Sequence, residues 1–132
     1  MLVDHLSGAW LAAVDAELAA RDRLRTHAAA CPMGITQVIT GRDDPVVYHF
    51  SSHGGAARAA WGAADPEDVR IVEDATTAAD IAAGRVNAGE AFITGRVVVT
   101  GDRQRLVAAR ALLGALDEAV AAVAARTRFA GA

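Results

Sequence analysis

At Ile35 the spacing of the apolar residues changes, and that change restricts the chain to folds that combine helix and sheet. Before it, Trp10, Val14 and Leu18 recur at helical spacing with Leu11 beside them, while Asp15, Glu17 and Arg21 fall toward the other side. Ser7 stands where an N-cap belongs. The helical pattern runs through Leu24 to residue 30, where Pro32 and Gly34 end it, because proline restricts the residue before it and cannot continue the hydrogen-bond ladder. After it, residues 35–40 are β-branched apart from Gln37, which predicts a strand. Residues 46–50 predict a second, with Val46, Tyr48 and Phe50 on one face. Residues 56–61 predict a third, with Ala57, Ala59 and Trp61 opposite Arg58, and residues 68–73 a fourth, centred on Val69, Ile71 and Val72. Short turn segments at 41–45, 51–55 and 62–67 separate them, so the four runs read as an antiparallel meander.

Helical character then returns. Asp74, or a threonine just after it, caps a short helix over 75–83 that Gly84 stops, and residues 87–92 form one more turn. Val97, Val98 and Val99 between Gly95 and Gly101 make a fifth strand, over 94–100. Asp102 opens a last helical region to residue 126, striped by Leu106, Ala109, Leu113, Leu116, Val120 and Val123, with a break expected at Gly114. A helical connection lets the fifth strand join the sheet away from its sequence neighbour. One sheet with helices over one face buries all these stripes.

Composition raises a packing question. Of 132 residues, 53% are hydrophobic but only 5% aromatic, and roughly a quarter are alanine, far above ordinary usage. A core of small side chains either brings backbones close together or leaves room for something else. The length fits one domain, residues 1–132. The net charge of −3, with Asp102 beside Arg103 and Arg105, offers no basic face for nucleic acid or for a membrane-surface helix. Cys31 is the only cysteine, which rules out an intrachain disulfide and a thiolate metal cluster and suits a reducing cytoplasm. Asp4 and His5 interrupt any leader-like start, no apolar run approaches a membrane span, and the final Ala-Gly-Ala is no peroxisomal address.

No grouping of residues carries chemistry. His49 and His53 lie on a strand and its turn, where four residues span about 13 Å, too far for one metal ion. His5 and His27 are isolated. Ser51 and Ser52 before Gly54-Gly55 read as a hairpin turn without the strained elbow of a nucleophile. The glycines form neither a dinucleotide fingerprint nor a P-loop. An enzyme is not expected, nor a cofactor.

The stretch from Asp74 to Leu116 resembles the sterol-carrier-protein family, the sterol-binding domains. The residues that carry the resemblance are Asp74 and Thr76, then Gly84, Asn87, Ala91-Phe92, Gly95, Val97, Val99 and Gly101-Asp102. The tryptophan-bearing first helix and the strands after it fit as well. In its wealth of alanine and arginine the chain is similar to compact single-domain actinobacterial members. The resemblance implies an α+β fold: a five-stranded, mostly antiparallel sheet with helices packed on one face. It also implies an apolar tunnel between them that takes a sterol, fatty acid, acyl-CoA or phospholipid without chemistry. Apolar residues from facing elements are then the candidate ligand-binding set: Trp10, Val14, Tyr48, Phe50, Trp61, Phe92, Leu106, Leu113 and Leu116. One departure stands out. Where the family often places apolar residues after Gly-Asp, this chain has Arg103, Gln104 and Arg105. They turn outward, close or polarise one end of the tunnel, or meet a ligand's carboxylate or phosphate. A second reading stays open: a regulatory or protein-interaction module that kept the fold with a reduced or closed cavity and works through a protein partner or a homodimer.

Overall fold

The computed structural model describes residues 2–129. Ser7 caps α1 (Gly8–Ala20) by accepting from the Trp10 amide at 3.2 Å. The helical run does not continue unbroken to residue 30. Arg21, extended at φ −101° and ψ 109°, ends α1 and starts α2 (Asp22–Ala30). Strands β2 (Gly34–Thr40), β3 (Val46–Ser51), β4 (Arg58–Trp61) and β5 (Val69–Asp74) follow. Asp74 caps α3 (Ala75–Ala82), Asn87 caps α4 (Ala88–Ile93), and Asp102 after β6 (Val97–Gly101) caps α5 (Arg103–Ala108), each through a side-chain oxygen on a backbone amide. The last helix, α6, spans Arg110–Ala124. The break in this region falls at Ala109 and not at Gly114, which sits inside α6 with open space where a β-carbon would stand. Two short strands escaped the sequence reading: β1 (Val3–Asp4) pairs in parallel with β7 (Thr127–Arg128) and joins the two ends of the described chain.

The main sheet has the order β4-β3-β2-β5-β6. Only β2, β3 and β4 form a meander. The fourth predicted strand, β5, lies on the far side of β2 and parallel to it, so the sheet is mixed. Residues 62–68 make this possible. They cross the outer face as a strap, where Thr36 Oγ1 accepts from the Ala64 amide at 3.0 Å, Asp68 accepts from the Gly34 amide at 2.8 Å, and Thr36 is fully buried beneath. The fifth strand, β6, pairs antiparallel with β5, its sequence neighbour, against expectation. The excursion through α3 and α4 leaves from Asp74 and returns at Val97, beside the same end of β5, and needs no crossover.

The helices lie over one face. Helix α1 covers the β3–β4 half closely: Trp10 is 1% exposed and stands edge-on to Tyr48, ring centres 5.6 Å apart. Asp15 of α1 grips the edge strand, accepting from the Ala59 amide at 2.9 Å and from two nitrogens of Arg58. Arg96 ties the start of β6 to α3 through Asp80 at 2.7 Å and Thr77 at 3.2 Å.

Candidate functional site

Strand alternation decides what the covered face presents. Cross-strand partners share a face, so Tyr48, Gln37, Ile71 and Val99 form one row, and Ile39, Glu73 and Val97 the next. Above the β2–β5–β6 half, helices α3 to α6 stand off the sheet. A cavity of about 320 Å³ lies between, floored by these strands and roofed by Ala78 and Ala82 of α3, Phe92 of α4, Leu106 of α5 and Leu113, Leu116 and Val120 of α6. That volume falls within the range of small-molecule sites. The small side chains of α3 leave this space where leucine or phenylalanine would fill it.

Six of the nine expected residues stand in the cavity wall: Tyr48, Phe50, Phe92, Leu106, Leu113 and Leu116. Three do not. Trp10 and Val14 are packed solid, 1% and 0% exposed, because α1 lies directly on the β3–β4 half and sets Trp10 edge-on against Tyr48. Trp61 ends the edge strand and is 49% exposed, beyond the reach of the roof. The arginines after Asp102 divide. Arg105 turns away to Asp68 at 3.2 Å, whereas Arg103 stands in the wall with its guanidinium on the Val99 carbonyl at 2.9 Å. The two histidines are engaged separately: His49 donates from Nδ1 to the Gly62 carbonyl at 3.0 Å, and His53 donates from Nε2 to the Asp68 carboxylate at 2.9 Å. Among the described residues no three His, Cys, Asp or Glu side chains converge as for a metal.

The sequence reading missed the polar residues of the chamber. Glu73 shares its face with Val69 and Ile71, and Asp117 falls inside the stripe of Leu113, Leu116 and Val120. A carboxylate on the apolar parity of a strand, and another on the apolar stripe of a helix, were the available signals. Burial pushes Glu73 up to about 7, helped by the negative charges of Asp74 and Asp117. Burial likewise pushes Asp117 up to about 6. Asp117 has exposed surface, but it opens into the cavity wall, where the surrounding protein still removes much of its hydration. Burial, with the charges of Glu73 and Asp117, also raises Tyr48. His5, between Trp10 and Phe129 at the cavity's margin, is held down to about 4 by burial and by Arg42.

Glu73 gives a stability prediction. Its folded pKa of about 7 lies above its ordinary 4.5, so the folded protein keeps a proton that the unfolded chain has released. The stability tied to that proton is whole below pH 4.5 and is lost as pH rises toward 7. Glu73→Gln therefore gains up to about 3 kcal/mol over the parent at pH 8 and almost nothing at pH 4. Urea unfolding at both values checks it, and equal gains at both would refute it.

Residues 11–114 match the description "SCP-2 sterol transfer family". The chain belongs to the SCP-2 sterol transfer family. Solved structures of this kind share its fold. A conserved protein from Thermus thermophilus superposes with a TM-score of 0.73 at 20% identity, over 92% of this chain and 90% of that one. A crystal structure of sterol carrier protein 2 gives 0.70 at 21%, over 89% and 98%. Apo sterol carrier protein 2 from Yarrowia lipolytica gives 0.68 at 15%, over 90% and 95%. No curated protein matches the chain. SCP-2 membership brings lipid binding or transfer as the general function, of a kind that is typically not catalytic. No helix among the described residues is long and apolar enough to cross a membrane.

Proposed function

We propose that this SCP-2 domain carries one apolar lipid at a time in the chamber between sheet and helices, without chemical change to it. The observation behind this is the coincidence of the family's fold with an apolar cavity of about 320 Å³. Each methylene withdrawn from water contributes about 0.8 kcal/mol, so a short length of chain in the cavity is enough for firm binding. Tyr48, Phe50, Phe92, Leu106, Leu113 and Leu116 are the proposed contacts. The alternative of an interaction module with a closed cavity has less support, because α3 offers alanines where a closed core wants larger side chains. On the carrier reading the chain works as one domain in the cytoplasm, a reducing compartment that suits the unpaired Cys31.

Native mass spectrometry after lipid extraction, with titration of a fluorescent fatty acid, tests the carrier reading. Saturable one-to-one binding supports it, and a protein that takes up no lipid of any class refutes it. Filling the chamber provides the matching variant. Ala82→Trp, or Leu113→Trp should the first not fold, weakens that binding at least about ten-fold with an unchanged circular-dichroism spectrum. Unaltered binding in a folded variant would put the ligand elsewhere.

A further inference from the structure

The chamber is not uniformly apolar. Glu73 and Tyr48 are 8% and 7% exposed, and among the described residues neither side chain has a hydrogen-bond or ion-pair partner. No side-chain oxygen or nitrogen among the described residues is sealed in without a partner, so these oxygens open onto the cavity. Gln37, the direct cross-strand partner of Tyr48, adds an amide to the same wall, and Asp117 faces them from α6. Helices α3 and α4 bring only apolar side chains and a glycine to the wall. The wall's two cations are committed or distant. Arg103 spends its guanidinium on the Val99 carbonyl, and Arg110 precedes Asp117 by seven residues, about 10 Å along α6. His5 adds no positive charge, since it stays neutral above about pH 4. Among the described residues, two carboxyl groups stand in the wall of one apolar chamber with no cation paired to either.

On the carrier reading above, we infer that Glu73 and Asp117, with Tyr48 and Gln37, form a polar seat inside the cavity for the primary ammonium group of a long-chain amine. A carboxylate or phosphate brought there meets two acids and is repelled, as like charges in a poorly hydrated site are. A hydroxyl needs only one acceptor and leaves the second acid uncompensated. An ammonium has three donors and a positive charge, and charge-assisted hydrogen bonds to carboxylates are the stronger kind. The seat is pH-dependent in a definite sense. Near pH 5 both acids hold their protons, and near pH 8 both have released them. The other charged or titratable groups at the wall are His5, Arg103 and Arg110, with Asp74 next to Glu73 in the chain; His5, held down to about 4, stays neutral over that interval, and the Thr77 hydrogen bonds hold the Asp74 carboxyl below its ordinary value.

Isothermal titration calorimetry of the full chain with dodecylamine, 1-dodecanol and lauric acid, at pH 5 and pH 8, tests this. Dodecylamine is expected to bind at least about ten-fold more tightly than lauric acid at pH 8, and to lose most of that advantage at pH 5. In the double variant Glu73→Gln, Asp117→Asn, the amine preference is expected to vanish while dodecanol binding persists, which also shows that the variant is folded. Equal or better binding of lauric acid at pH 8, a dodecanol affinity matching the amine's at both pH values, or an amine preference that survives in the double variant would each overturn the seat while leaving the carrier function standing. Failure of all three ligands to bind would overturn both.

Discussion

Trp10→Ala lowers the unfolding free energy by about 3–5 kcal/mol, the cost of removing a large buried aromatic and leaving a void. The side chain is 1% exposed and held edge-on by both His5 and Tyr48, at 4.9 Å and 5.6 Å between ring centres. The surrounding core is closely packed, with Val14 one turn further along α1 fully buried, so the void closes only in part. For a domain of this length the melting temperature falls by roughly 10–20 °C. Trp61→Ala, at a position 49% exposed on the edge strand, costs less than about 1 kcal/mol. Urea unfolding followed by circular dichroism checks both. Below its transition the Trp10 variant still binds an apolar ligand, because the cavity wall does not include residue 10. Similar losses from the two tryptophans would show that α1 does not lie directly on β3 and β4.

Gly34→Ala is the second severe change. A β-carbon there would run into the Pro66 carbonyl oxygen and the Ala64 side chain. The obstruction is backbone, so no rotamer relieves it; either the strap lifts or β2 shifts. Lifting the strap exposes Thr36 and disturbs the Gly34–Asp68 hydrogen bonds. The expected loss is about 3 kcal/mol, at the upper end for an overpacked site, read as a lower urea midpoint. It grows for Gly34→Val. A neutral Gly34→Ala would mean that the strap is not held against β2.

Most elements were legible because each carries its own local signal. Ser7, Asp74 and Asp102 are caps by chemistry, and the strands at 46–51 and 97–101 alternate or branch clearly. Topology was less legible. Nothing local distinguishes a turn that sends a strand back beside its neighbour from a strap that carries it across two others, and the difference rests on Thr36 and Gly34, far upstream of the segment that crosses them. The cavity wall was legible only in part, for the same reason: six of the nine expected residues line it and three do not. Large apolar residues mark both a packed core and a cavity wall, so Trp10 and Val14 were indistinguishable from Phe50 and Leu116 until the standoff of α3 to α6 was known. The emptiness is set by what is small, Ala78 and Ala82, and its character by two acids that break the apolar pattern. An exception in a pattern said more about the polarity of the cavity wall than the pattern itself.

The clasp of β1 and β7 gives the molecule a mechanical property. The Val3 amide donates to the Arg126 carbonyl at 2.8 Å and the His5 amide to the Arg128 carbonyl at 2.9 Å. A pull applied through the chain on either side reaches these two bonds before it reaches the main sheet. His5, whose amide makes one of these bonds, has its ring in the cavity wall. Tension on β1 and β7 is thereby delivered to the margin of the cavity first, and it loads the cavity wall before it strains the main sheet.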